Sequence, residues 1–214
     1  VDTLKRVVTV EEIISDAHSG ELAAVDEDAI AFLQYTSGST GNPKGVVLTH
    51  ANILANIRAM DLALETGPND VFVSWLPLYH DMGLIGAWMG ALYVGFSLVL
   101  LSPLTFLARP VRWLRAIHKH RGTISGGPNF SFELCLSRIE DEEIEGLDLS
   151  SWRIAFNGAE PVSADTLRRF DQRFSAYGLR GEAISPCYGL AEVTLGLGFA
   201  PTVRGLLTDR VQRE

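Results

Sequence analysis

Short apolar runs alternate with helix-length stretches along most of this chain, and that alternation restricts the fold more than any other feature. Val71–Trp75, Phe96–Leu101, Gly122–Ser125, Trp152–Phe156 and Glu182–Pro186 read as strands, with helices expected at Leu84–Val94, Pro110–His120 and Ala164–Tyr177. Strands spaced by helices of about 10–15 residues pair in parallel, and a parallel sheet needs cover on both faces. The expected class is α/β, with mostly parallel sheets flanked by helices. Upstream, Ala29–Tyr35 is a strand, Val46–Leu48 is apolar, and Thr49 can cap a helix over His50–Leu64. Residues 1–28 form a weakly patterned lead-in with a short helix expected at Val10–Ala17.

Open parallel sheets bind ligands beyond the carboxyl ends of their strands, so the residues just past each strand are the first candidates for a site. They are the loop from Thr36, Leu76–Gly83, Gly126-Gly127-Pro128-Asn129-Phe130, Asn157-Gly158-Ala159-Glu160-Pro161, and Cys187-Tyr188-Gly189-Leu190-Ala191-Glu192. Each carries glycine with polar or aromatic groups. Five such loops after five strands suggest one shared crevice. His80-Asp81 in the second loop fits two readings, a local hydrogen-bonded pair or a functional group at a strand end.

The stretch Tyr35-Thr36-Ser37-Gly38-Ser39-Thr40-Gly41-Asn42-Pro43-Lys44-Gly45-Val46 has the composition of an anion cradle. Hydroxyls and glycines alternate, so backbone N–H groups can converge on a phosphate, and Lys44 adds positive charge. The order differs from a Walker A loop, which ends in Gly-Lys-Ser/Thr before a helix.

Composition narrows the partners. Formal net charge is −8, from 18 basic and 26 acidic residues, which argues against a nucleic-acid surface built on clustered Lys and Arg. Cys135 and Cys187 are the only cysteines, too few for a disulfide framework and in keeping with a reducing, cytoplasmic setting. The nearly uncharged run Gly83–Ala108 is about long enough to cross a bilayer. Gly86, Gly90, Gly95 and Pro103 divide it, so a buried helix followed by a buried strand is the expectation, without a membrane span. Glu140–Glu145 reads as a solvated acidic loop. Val1 in place of Met marks the chain as an expected segment of a longer polypeptide.

Phe32-Leu33-Gln34-Tyr35 with its loop, Trp75–Gly83, Ser125–Phe130, Phe156–Pro161 and Tyr188–Leu195 together resemble the large N-terminal domain of the adenylate-forming superfamily, most closely its fatty acyl-AMP ligases. The resemblance covers about residues 29–200. It implies that Thr36, Ser37, Gly38, Ser39, Thr40, Gly41 and Lys44 wrap the phosphates of ATP, and that Asn157, Gly158, Ala159, Glu160 and Pro161 lie along adenine with Tyr188 and Gly189. It implies Mg²⁺ on Glu192, assisted by Thr40, and His80 beside the reacting carboxylate. Met82, Gly127, Pro128, Asn129, Phe130 and Phe132 are implied to line an acyl channel.

The implied chemistry is attack of a fatty acid carboxylate on the α-phosphorus of ATP, with pyrophosphate leaving, followed by transfer to an acyl carrier protein or carrier domain. Such a step needs positioning and charge neutralisation more than a covalent nucleophile. Two features of the family are absent from these residues, a ribose-binding Asp in Tyr-Arg-Thr-Gly-Asp and a Lys in a small C-terminal domain. Residues 29–214 are therefore expected to be an incomplete adenylation domain with weak or no turnover alone. An acyl-CoA synthetase fragment and a non-catalytic acyl-nucleotide binding module stay open as alternatives.

Overall fold

In the computed structural model, which describes residues 24–36, 43–209 and 211–212, the alternation resolves into helices on both faces of one sheet. The strands of that sheet are β3 (Val71–Ser74), β4 (Ser97–Leu100), β5 (Ile124–Gly127), β6 (Ile154–Asn157), β7 (Ile184–Gly189) and β8 (Gly196–Phe199). Their order is β4-β3-β5-β6-β7-β8. The first five run parallel, and β8 returns antiparallel along β7. The expected helix Val10–Ala17 lies outside the described residues.

β1 (Ile30–Thr36) and β2 (Lys44–Thr49) stand apart as an antiparallel hairpin. The stretch read as an anion cradle therefore joins two hairpin strands and does not follow a strand of the parallel sheet; its residues 37–42 lie outside the described residues. The hairpin leads directly into α1 (His50–Leu64), whose start is fixed as the sequence indicates. The Thr49 hydroxyl accepts from the Asn52 backbone N–H, and the Asn52 side chain accepts from the Thr49 N–H, a reciprocal cap that satisfies two otherwise unpaired donors.

Successive strand residues point to opposite faces, and the two faces are built differently. On one, Val73 and Trp75 of the β3 region and Ala155 of β6 meet α4 (Val111–His120), α5 (Asn129–Arg138) and α6 (Ala164–Phe174). Trp113, Phe132, Trp152, Phe170 and Phe174 are fully buried there, in a run of tilted and edge-to-face ring contacts. Trp113 Nε1 donates to Ser125 Oγ at 2.7 Å, and Ser125 donates to the Val73 carbonyl at 2.5 Å, while Trp75 Nε1 is buried without a partner among the described residues. On the other face, Phe72, Ile124 and Ile154 meet Ala87, Ala91 and Phe96, while α1 packs Ile53, Ile57 and Met60 against Ile85 and Leu195.

Several elements differ from the sequence reading, the unforeseen strand β8 among them. The helix expected over Leu84–Val94 is a π-helix, Met82–Met89, continued by α2 (Gly90–Val94). It starts hard against the preceding loop: a Cβ on Gly83 would lie 2.2 Å from the Pro77 carbonyl oxygen. α5 and the short α3 (Pro103–Ala108) were not foreseen. The Gly-Gly-Pro-Asn run reads as a loop, yet Pro128 stands just before the first turn, where a missing N–H costs nothing. The acidic segment Glu140–Glu145 is exposed except at Glu143, half-buried and paired with Arg109, and at Ile144, which is fully buried. Among the described residues no helix is long and apolar enough to cross a membrane.

At the amino ends of the central strands, Arg153 ties β6 to β3. Its Nε and Nη2 donate to the two Asp70 carboxylate oxygens at 2.9 and 2.6 Å, and it also donates to the carbonyls of Leu64 and Glu65. That anchors the end of α1 to the start of the sheet.

Candidate functional site

A cavity of about 610 Å³ lies between the less filled face of the sheet, α1, the π-helix and the hairpin. Its wall changes character along its length. Thr36 and Lys44 from the hairpin, His80 and Asp81 from the loop after β3, Ala159 from the loop after β6, and Tyr188 and Glu192 at the end of β7 give a polar region. Ile57, Met60, Phe72, Phe96, Leu195 and Phe199 are among the residues that give an apolar one. A parallel sheet places the loops after its strands on one edge, which is why segments far apart in sequence converge at the polar end.

His80 is held by its neighbour. Its Nδ1 lies 2.8 Å from Asp81 Oδ1, and the same oxygen accepts the Met82 N–H at 2.8 Å. Asp81 is buried at 8% exposure while the His80 ring is half exposed, so the carboxylate is the fixed partner. The Asp81 hydrogen bond favours the protonated ring and outweighs partial burial, and the His80 pKa is raised above the ordinary imidazole value.

Glu192 sits in a turn that the chain holds firmly. The Leu190 N–H donates to the Leu195 carbonyl at 3.0 Å, and a Cβ on Gly189 would lie 2.0 Å from that carbonyl oxygen. Thr194, buried, has φ 79° and ψ −56°, a strained backbone for a β-branched residue. The Asn56 side chain braces this turn from α1 by donating to the Gly196 carbonyl at 2.8 Å and accepting its N–H at 3.0 Å. Ala159, also on the cavity wall, has φ 66°. Strain of this kind clusters at functional sites because the surrounding structure must enforce it.

The sequence-derived candidates divide into three groups. Thr36, Lys44, His80, Met82, Ala159, Tyr188, Gly189 and Glu192 line the cavity together. Ser37, Gly38, Ser39, Thr40 and Gly41 lie outside the described residues. The remainder are not on the cavity wall. Phe132 is fully buried in the opposite core against Trp113 and Phe170. Asn129 accepts the Ser163 N–H, the Phe130 N–H donates to Glu160, and the Phe130 ring meets Trp75 edge-on; Pro128 and Pro161 flank these contacts. Gly127 backs onto Trp75, with 2.6 Å between its would-be Cβ and the ring, and the would-be Cβ of Gly158 lies 2.7 Å from the Cys187 carbonyl oxygen. Asn157 is buried, donating to the Gly127 carbonyl at 3.3 Å, and its Oδ1 has no partner among the described residues.

The apolar wall was not legible as a site. Ile57 and Met60 carry the spacing of an ordinary buried helix stripe, and Phe72 and Ile124 that of buried strands; only the cavity separates lining from core. Cys187 also lines it, but burial pushes its thiol up to about 12, so it stays protonated and is a poor nucleophile. Glu192 has no hydrogen-bond or ion-pair partner among the described residues and faces the polar region. A single free carboxylate is the donor set a hard divalent cation accepts when phosphate oxygens and water supply the rest.

Residues 3–211 match the AMP-binding enzyme family. The chain belongs to that family. Among its relatives is a medium-chain-fatty-acid–[acyl-carrier-protein] ligase of Teredinibacter turnerae, 49% identical over 168 residues, which are 78% of this chain and 26% of that ligase. A putative ligase of Mycobacterium tuberculosis is 38% identical over 211 residues, 98% of this chain and 39% of the relative. The solved fatty acyl-adenylate ligase of Legionella pneumophila, in complex with acyl adenylate and pyrophosphate, superposes with a TM-score of 0.83 at 46% identity, over 86% of this chain and 32% of that one. This AMP-binding chain thus has the adenylate-forming fold and spans about a third of the length of such ligases.

Proposed function

We propose that this chain is the nucleotide- and acyl-binding part of a fatty acyl-AMP ligase. Its cavity would take a fatty acid and ATP, form acyl-AMP with release of pyrophosphate, and serve transfer of the acyl group to a carrier protein. The observation that carries this reading is the two-part cavity: charged and hydroxyl groups at one end run without interruption into an apolar slot. An acyl adenylate has that same division, and a pocket of several hundred Å³ with few polar groups is the usual form of such a site. The kinship to ligases whose names specify fatty acids and acyl carrier protein supports it.

In this reading Lys44 and the hydroxyls of Thr36–Thr40 bind phosphate oxygens, Tyr188 stacks on adenine, and the backbone at Asn157–Pro161 runs along the base edge. His80, kept protonated to higher pH by Asp81, positions the carboxylate at the junction of the two regions. Met82 lines that junction, with Gly127–Phe130 behind it. Glu192 with Thr40 would hold Mg²⁺, which when bound neutralises charge on the phosphates. Residues 29–214 would form part of an adenylation domain, and its two free thiols agree with a cytoplasmic setting.

The test is calorimetric titration of the chain with ATP and with a non-hydrolysable acyl-adenylate analogue, beside Lys44→Ala and Glu192→Ala. Binding weakened at least about tenfold in each variant is expected, the loss of one charge-assisted contact. Equal binding by all three proteins contradicts the assignment. Assaying a complete ligase carrying this sequence with CoA against a phosphopantetheinylated carrier decides the acceptor, and carrier is the expected one.

A further inference from the structure

The apolar slot does not end on apolar groups. Asp61, in the last turn of α1, and Thr66, just past it, both line the cavity, and the Thr66 hydroxyl donates to Asp61 Oδ1. Arg153 fixes this corner to the amino ends of β3 and β6 through the Leu64 and Glu65 carbonyls. His80 and Tyr188 sit at the carboxyl ends of their strands. Four residues of β3 separate the two ends, roughly 13 Å at the strand rise.

From this we infer that the site takes an acyl chain whose far terminus carries a hydrogen-bond donor, a hydroxyl or an ammonium, received by Asp61 and Thr66. Because Thr66 spends its proton on Asp61, both residues offer only acceptor lone pairs to a ligand. No cation pairs with Asp61 among the described residues; Arg58, three residues away, is engaged with the Tyr93 hydroxyl at 2.9 Å. A plain methyl terminus reaching this corner would strip water from a carboxylate and give nothing back, which is costly, whereas a donor at that position replaces the water. A site built to bond a polar terminus rejects the analogue lacking it far more strongly than an apolar pocket separates chain lengths.

This rests on the acyl-adenylate reading above. The experiment compares binding of three adenylate analogues by calorimetry, with unsubstituted, ω-hydroxy and ω-amino dodecanoyl chains. At least about tenfold tighter binding of an ω-donor analogue than of the unsubstituted one is expected, as for one hydrogen bond to a charged group. Asp61→Leu should remove that preference and leave the unsubstituted analogue bound. Thr66→Val tests the same corner without touching the carboxylate, and Asp61→Asn should keep a preference for hydroxyl but lose one for ammonium. Equal binding of all three analogues by the unaltered chain overturns the inference while sparing the function. Failure of every analogue to bind overturns both.

Discussion

Phe72 and Val73 are neighbours in one strand and meet opposite fates. Val73 joins the face where Trp113, Phe132, Trp152 and Phe170 pack in one buried cluster, whereas Phe72 borders the cavity. The same strands thus carry a filled core on one side and an open slot on the other, so stability and ligand capacity are assigned to alternate residues. A change on the filled face should act through folding. A change on the open face should act through binding.

The largest expected effect tests that division directly. Trp113→Ala leaves an enclosed void and removes the donor to Ser125 Oγ, and should cost about 3–5 kcal/mol in urea unfolding. Phe156→Ala, beside volume that is already open, should cost about 1.5–3 kcal/mol, the transfer contribution alone. Equal losses would break the contrast between the faces.

Next in size is the anchor under the open face. Burial pushes Asp70 up, but hydrogen bonds from Arg153 and Thr123 outweigh it and hold the carboxyl below its ordinary value. Its contribution is therefore complete above the ordinary carboxylate value and is lost as pH falls through the lower folded value. Arg153→Met should cost about 2–3 kcal/mol at neutral pH, and Asp70→Asn should flatten the acid limb of the stability curve. An acid limb unchanged in Asp70→Asn would assign it to other groups.

Smaller still are the stability effects at the polar end. Lys44→Ala and Glu192→Ala, at exposed positions, should stay within about 0.5 kcal/mol of the parent even as ligand affinity falls, which sharpens the separation of the two roles. The least effect belongs to His80. Its raised pKa means that the contribution of the charged ring is full below the ordinary imidazole value and fades as pH rises through the folded value. Asp81→Asn should lower the His80 titration midpoint seen by NMR; an unmoved midpoint would remove Asp81 as the cause.

The strands, their helical cover and the strand-end loops were legible because each follows from local pattern. Thr49 as a cap and the glycine-bearing loops at the strand ends are readable within a few residues. The cavity was not, because it depends on which of two buried stripes has partners across from it. Phe132 shows the limit: the Gly126–Pro128 run before it reads as part of a strand-end loop, but Phe132 lies in α5, and its ring is buried in the opposite core. α5 was missed for a related reason, since glycine and proline mark a loop as readily as they mark the residue before a helix.

The central claim is that the two regions of the cavity bind the two halves of one acyl adenylate. Gly90 lies on the apolar wall, and a Cβ there would make only ordinary contacts, 3.6 Å from the Phe96 ring, so Gly90→Leu should fold and project into the slot. Titration of this variant and its parent with AMP and with the dodecanoyl adenylate analogue should show AMP affinity unchanged and analogue affinity reduced at least about tenfold, as expected for losing a buried run of methylenes. Equal affinity of the analogue for both proteins would place the acyl chain elsewhere and contradict the account.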